Sequence, residues 1–276
     1  MKRVLCPILP KLGQSIELDP TEAKHLTTVL RAREGDEIEL LNGAGQKSQG
    51  VLSIQGKKIA VTGTSQPVRN AKLNALPIHL KVAILKGDAM EWVIEKAVEL
   101  GVKSITPLLT DYTVVQVQKK GIDAFLERWQ KIADQALKQC GRLERIHFHE
   151  PVSLLEAFIH PPYSTFWLDE SLAEEGRARH HLQNELSSHA RAPIGLLVGP
   201  EGGFSPAERE RLFQLTGHSI HEINKGEANK QVLIGCHLGS LVLRAETAAL
   251  MGISLIAGKL GAFEHGTADP EAKDSV

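Results

Sequence analysis

The pattern of apolar and polar residues changes near residue 72. Before that point, short apolar runs are broken by glycines. Glu37-Ile-Glu-Leu-Leu41 alternates charged and apolar side chains and meets Asn42-Gly43, which predicts a strand entering a hairpin. Gly50-Val-Leu-Ser-Ile54 and Lys58-Ile-Ala-Val-Thr62, separated by Gly56, continue the rhythm. One helix interrupts it. Asp19 is the predicted N-cap, Pro20 takes the first helical position, and Ala23, Leu26, Val29 and Leu30 share one face. A linker from Thr64 to Pro77 follows.

From Ile78 onward strands alternate with helices. Predicted strands are 79–85, 104–109, 165–168 and 194–198, and predicted helices are 88–100, 125–139, 174–190, 206–216 and 243–256. Asp88-x-x-Glu91 reads as a capping box, Gly101 as the stop of the same helix, and Glu91, Glu95 and Glu99 as its charged outer stripe. Such alternation predicts an α/β unit with a mostly parallel sheet covered on both faces. The polar tail after Phe263 predicts disorder.

Composition narrows the class. No run of about 18 apolar residues exists, so no membrane span is expected, and Pro7 and Pro10 interrupt the only stretch resembling a signal peptide. The three cysteines, Cys6, Cys140 and Cys236, have no metal-ligand spacing and suit a reducing cytoplasm. The histidines, including His147, His149, His180 and His181, lack a third ligand at a persuasive spacing, so no metal is expected. Residues 1–150 hold 22 basic against 17 acidic side chains, a net of +5, while residues 151–276 carry a net of −6. That asymmetry permits RNA binding by the first half without demonstrating it.

The sharpest motif is Leu197-Val-Gly-Pro-Glu-Gly-Gly-Phe-Ser-Pro-Ala-Glu208. A buried strand ends at Gly199, and Ser205, Pro206 and Glu208 have the spacing of a capped helix start. The loop between them lies where open parallel sheets bind ligands. It lacks both Gly-Lys-Ser/Thr and the dinucleotide glycine spacing, and Glu201 would repel a phosphate. A phosphate-free nucleoside such as S-adenosylmethionine fits that chemistry; a plain structural turn is the competing reading. A second loop-to-helix junction runs through His237-Leu-Gly-Ser-Leu-Val-Leu-Arg-Ala-Glu246. Arg244 there opposes the helix dipole, so it answers either to an ion pair with Glu246 or Glu201, or to an RNA phosphate or base. Trp167-Leu-Asp-Glu-Ser171 ends another buried strand.

These segments resemble the ribosomal small subunit methyltransferase E family. The likeness also covers Asp19–Asp36 and Lys86–Val102, and so nearly the whole chain. The resemblance implies a PUA-like β-barrel RNA-binding domain (residues 1–72), a SPOUT-type methyltransferase domain with a C-terminal trefoil knot (73–263) and a tail (264–276). It implies a cytoplasmic homodimer, paired through the knot, that uses S-adenosyl-L-methionine. Its substrate would be 16S rRNA or the 30S subunit, methylated at N3 of a uridine, uridine 1498 in rRNA numbering. Carried onto this sequence, the cofactor residues are Leu168, Asp169 and Glu170, then Leu197, Val198, Gly199, Pro200, Glu201, Gly202 and Gly203, then Ile234, Leu238, Gly239, Ser240 and Leu243. Glu201 is the candidate base or base-orienting group, and Arg244 the candidate for stabilising the uracil enolate or holding phosphate. Lys24, Arg31, Arg33, Arg142 and Arg244 are candidate RNA contacts. The chain departs from the family at 224–231, which resembles an insertion. Asp111-Tyr112 stands where Arg-Ser is common, and Gln139-Cys-Gly-Arg142 where Gln-Ser-x-Arg is usual. The rival functions are a non-catalytic RNA-binding or ribosome-assembly protein on the same fold, and an α/β enzyme using a phosphate-bearing nucleotide.

Overall fold

Hairpins of alternating residues build the N-terminal sheet. Its strands are β1 (Lys2–Leu5), β2 (Ser15–Glu17), β3 (Glu37–Leu41), β4 (Gln46–Gln55), β5 (Lys58–Gly63) and β6 (Val68–Arg69). Their order is β1-β3-β4-β5-β2, with β6 on β4; β1 and β3 run parallel and the other pairs antiparallel. The predicted turn after β3 forms because Gly43 accepts φ 69° and the Asn42 side chain accepts the amide protons of Ala44 and Gln46. Val4, Leu26, Ile38, Leu40, Leu52 and Val61 form its core. The structure is a computed structural model and describes residues 1–56, 58–70, 75–115, 121–158, 163–174, 181–189, 192–216 and 233–263.

Two details depart from the expected alternation. Glu39 points inward, only 5% exposed, between Arg3 and Lys47 at 2.6 Å each. Burial alone would raise its pKa, but the hydrogen bonds from Lys47 and Arg3 outweigh that and hold it below the usual carboxylate value. The helix is short: Asp19 caps α1 (Pro20–Lys24) as predicted, but His25–Val29 winds as a π turn. The wider turn rotates Val29 off the buried face into solvent, so it does not join Ala23 and Leu26 in the core.

The second sheet contains β7 (Ile78–Ala83), β8 (Ser104–Leu109), β9 (His147–Phe148), β10 (Val152–Ser153), β11 (Thr165–Leu168), β12 (Ile194–Val198) and β13 (Leu233–Cys236). Every strand pair is parallel, in the order β10-β8-β7-β12-β11-β13, with β9 on β8. Helices α2 (Asp88–Glu99), α3 (Ile122–Cys140), α4 (Ser171–Glu174), α5 (Leu182–His189), α6 (Pro206–Leu215) and α7 (Ala245–Lys259) accompany it. Ile78, Leu80, Val82, Leu196 and Val198 share a core with α2, α3 and α7. Trp167, Leu197, Phe204, Leu212 and Leu233 pack on the opposite face. The α/β fold with a parallel sheet is therefore as expected. On α7, Gly252 lets the helix sit against Leu196, whose Cδ2 lies 2.8 Å from where a Cβ would stand.

The helix boundaries bring corrections. Gly87, at φ 61°, occupies the N-cap of α2, so Asp88 is its first helical residue and no side chain caps it. The expected Asp88–Glu91 capping box does not form; Glu91 pairs with Arg128 of α3 instead. The single helix expected over 174–190 is described as two pieces, α4 and α5, with 175–180 outside the described residues. The segment 224–231 and the tail 264–276 also lie outside them. Among the described residues, no helix is long and apolar enough to cross a membrane.

The two sheets are joined by polar contacts at the end of α3. The Arg3 guanidinium donates to the carbonyls of Lys138 and Gln139, at 3.1 and 2.8 Å. Lys138 pairs with Glu22 at 2.7 Å, and the amides of Gly45 and Arg145 bond to the carbonyls of Leu143 and Gly43. A cation meeting the terminal carbonyls of a helix both satisfies them and complements the helix dipole.

Candidate cofactor cleft

The glycine loop after β12 is fixed by its own sequence. Ser205 caps α6: its hydroxyl accepts the Glu208 amide at 3.2 Å, and Glu208 Oε2 accepts the Ser205 amide at 2.9 Å. The other oxygen, Glu208 Oε1, accepts the amide of Asp111 from the loop after β8, and the Ser205 hydroxyl donates to Asp111 Oδ2 at 2.5 Å. Within the loop, Gly203 adopts φ 69° and donates to the Pro200 carbonyl. Gly199 has no room for a side chain, because a Cβ would lie 3.1 Å from the Phe204 ring. The predicted capped junction therefore exists, bolted to a neighbouring strand end that the sequence did not reveal.

The loop after β11 is held as firmly. Asp169 is 4% exposed and its carboxylate accepts from Arg209 Nε at 2.8 Å and from the Ser171 amide and hydroxyl. Arg209, on α6, also reaches Glu170 at 3.4 Å. The third loop, after β13, is different. Arg244 is the N-cap of α7 without a side-chain cap bond, Gly239 sits at φ 136°, and Leu241 and Val242 are 78% and 75% exposed.

The three loops meet beyond the carboxyl ends of β11, β12 and β13 and enclose a cleft of about 670 Å³ including its open mouth. Leu168, Asp169 and Glu170 line it from the first loop, Val198, Gly199, Pro200, Glu201 and Gly203 from the second, and Leu238, Gly239 and Leu243 from the third. Four expected residues do not. Leu197 faces the opposite core, because successive strand residues point to opposite faces. Ile234, on β13, is buried in the core, Gly202 turns toward Tyr112, and Ser240 is exposed. His237, Leu241 and Val242, within the expected third loop Ile234–Leu243, also line it, and so do Phe204, Ala245 and Ala248, which were not anticipated. The i, i+3 spacing of Ala245 and Ala248 marks one helix face and could have signalled them.

The candidate catalytic pair shares a depression beside the cleft, with Lys86, Ala89, Ala245 and Glu246. Glu201 Oε1 accepts the Lys86 amide at 2.8 Å, which ties the glycine loop to the start of α2. Arg244 is exposed and, among the described residues, pairs with neither Glu246 nor Glu201. Of the candidate RNA contacts, Lys24, Arg31 and Arg33 are exposed on the N-terminal unit. Arg142 is not: it is 5% exposed, and Nη1 meets the Val98 carbonyl in the last turn of α2 at 3.4 Å. Burial lowers its pKa to about 10. A surface phosphate cannot reach it there, so the expectation that Arg142 contacts RNA is corrected.

No Lys or Arg is among the described residues lining the cofactor cleft, whose walls are apolar side chains, glycines, carboxylates and His237. Such a surface disfavours phosphate and suits an uncharged or cationic nucleoside. Residues 72–257 match the family described as RNA methyltransferase domain, and residues 18–62 match the RNA methyltransferase PUA domain. Ribosomal RNA small subunit methyltransferase E of Bacillus subtilis is 28% identical over 253 residues, covering 88% of this chain and 92% of that protein. The crystal structure of the Neisseria gonorrhoeae enzyme of that name, bound to S-adenosyl methionine, is 26% identical with a TM-score of 0.75, covering 94% of this chain and 97% of the other. A Legionella pneumophila protein in complex with the same cofactor is 27% identical with a TM-score of 0.76, covering 93% and 96%. With a family match across most of its length and relatives of one kind along nearly all of it, this chain belongs to the ribosomal small subunit methyltransferase E family of RNA methyltransferases.

Proposed function

We propose that the protein transfers the methyl group of S-adenosylmethionine to N3 of a uridine in 16S rRNA, at the position equivalent to uridine 1498, as a cytoplasmic homodimer. The observation that carries this reading is the cleft itself, formed by three strand-end loops and lined, among the described residues, without a lysine or arginine. The relatives that hold S-adenosyl methionine support it. In this reading residues 1–72 are the PUA-like unit, closed as a barrel, and residues 73–263 the catalytic unit. The chain segments around the cleft pass through one another as a trefoil knot. The exposed Leu241 and Val242 form part of the surface covered by the second subunit. Lys24, Arg31 and Arg33 hold RNA phosphates, which positions the duplex without reading its sequence.

The cofactor, when bound, supplies an electrophilic methyl on a sulfonium. Leu168, Val198, Leu238 and Leu243 would pack its apolar parts, with Glu170 facing its hydroxyls or ammonium. Transfer forms the N3–CH3 bond as the S–CH3 bond breaks. The electron pair of that bond stays on sulfur, and the N3 proton leaves to a base. The tie between Glu201 and the Lys86 amide makes Glu201 an orienting group for the loop as much as a proton acceptor. Arg244, beside it, stabilises negative charge on the uracil oxygens. Positioning and proton removal are the main demands of such a step.

The test is incubation with methyl-labelled cofactor and either 30S subunits or naked 16S rRNA, followed by mapping of the label. Label on N3 of one uridine is the expected result. RNA binding with no cofactor binding by calorimetry and no label transfer would instead identify a non-catalytic RNA-binding protein.

A further inference from the structure

We infer that Tyr112 is the aromatic surface on which the target uracil stacks when it leaves the RNA; this rests on the proposed function. N3 of uracil lies on the pairing edge, so it cannot accept a methyl group while the base is paired. Enzymes that modify a base take it out of the stack and recover part of the unstacking cost on an aromatic face. Among the described residues, three Phe, Tyr or Trp side chains are substantially exposed: Trp92, Tyr112 and Phe263. Trp92 lies on the outer groove of α2 with Glu91, Glu95, Lys96 and Glu99, and among the described residues no contact ties it to the glycine loop. Phe263 follows α7, against Gly258. Tyr112 stands at the glycine loop: its Cδ2 lies 3.4 Å from where a Cβ on Gly202 would be, one residue from Glu201.

The placement of Tyr112 is built, not incidental. The preceding residue, Asp111, is fixed through its amide to Glu208 and through its carboxylate to Ser205, the two residues that cap α6. The turn around Tyr112 is closed by Thr110 and Thr113, whose hydroxyls lie 2.8 Å apart and whose backbones also bond. The ring that this scaffold presents is 46% exposed, and among the described residues its hydroxyl makes no hydrogen bond. A ring held on a rigid turn, edge against a catalytic loop and open to solvent, loses little entropy on receiving a base.

The experiment compares Tyr112→Ala, Tyr112→Phe and Tyr112→Trp in the full-length protein. Cofactor affinity is read by calorimetry, kcat and KM by label transfer to rRNA. Removing one stacked base contact predicts a fall in kcat/KM of about tenfold to a hundredfold for Tyr112→Ala, carried mainly by KM. Tyr112→Phe keeps the wild-type value within about threefold, and all three variants keep wild-type cofactor affinity. Unchanged kcat/KM in Tyr112→Ala, or a parallel loss of cofactor affinity, would overturn the inference. A second readout does not need turnover. The emission that Tyr112→Trp adds over wild type should be quenched by a short oligouridine and not by an abasic strand of equal length. Equal quenching by both would mean that the ring touches backbone rather than base, which contradicts stacking. If wild type binds cofactor yet methylates no RNA, the proposed function fails, while the fluorescence still decides the role of Tyr112.

Discussion

Two loops wall the same cleft and are held in opposite ways. The loop after β12 has a reciprocal capping box, a second strand end bonded to that box, and a carboxylate tied to the Lys86 amide. The loop after β13 enters α7 through an uncapped Arg244 and leaves Leu241 and Val242 in solvent. Capping residues satisfy the first helix end locally; the second has been left for something outside the loop to complete. The difference separates two tasks. A preorganised wall fixes where a ligand sits, while an exposed apolar wall suits a surface that a ligand or a second subunit covers.

Breaking the locked side should have the largest effect. Asp169→Ala removes a buried acceptor of Arg209 and Ser171 but leaves Arg209 part-exposed beside Glu170, so a loss of about 2–3 kcal/mol is expected in urea denaturation, as for hydrogen bonds to a charged group. A loss below about 1 kcal/mol would show that the loop after β11 is not held by this carboxylate.

The sheet beneath both loops offers a pH test. Lys81 on β7 is 2% exposed, near Thr165 and over the Tyr163 ring, and burial lowers its pKa to about 7 from 10.5. Between those values the unfolded chain binds more protons than the folded one, so stability must rise with pH. The expected gain is about 2 kcal/mol from pH 7 to 9, and Lys81→Met should flatten that slope. Both loops should follow it together, because they share the sheet.

Smaller changes sharpen the contrast. Ser205→Ala should cost about 1–2 kcal/mol of stability and also weaken cofactor binding, because it frees Asp111 as well as the helix end. Leu241→Ser with Val242→Ser should change the stability of the dilute chain by less than about 0.5 kcal/mol while weakening self-association in sedimentation. On the N-terminal unit, Arg31→Ala or Arg33→Ala should each reduce the salt slope of RNA binding by about 1, whereas Arg142→Met should leave it unchanged.

The same contrast explains what could be read from the sequence. The capping box at Ser205 was legible because its partners are three residues apart. Asp88 and Glu91 have the same spacing, yet a glycine just before them took the N-cap and a distant Arg128 took Glu91. Charge alone does not show exposure: Arg142 looked like a surface cation but fills the end of α2, where tertiary packing decides. Leu197 was assigned to the cleft by its place in a motif, against the alternation that turns it to the other face. The link from Asp111 to Ser205 spans 94 residues, so no local pattern could announce it.

The central claim is that the locked and open loops together form one S-adenosylmethionine site, and calorimetric titration of the cofactor tests it most directly. The account predicts one site per chain in wild type and much weaker binding both in Ser205→Ala and in Leu241→Ser with Val242→Ser, whose side chains line the cleft. No binding heat in a folded wild-type protein, or full affinity in Ser205→Ala, would contradict it.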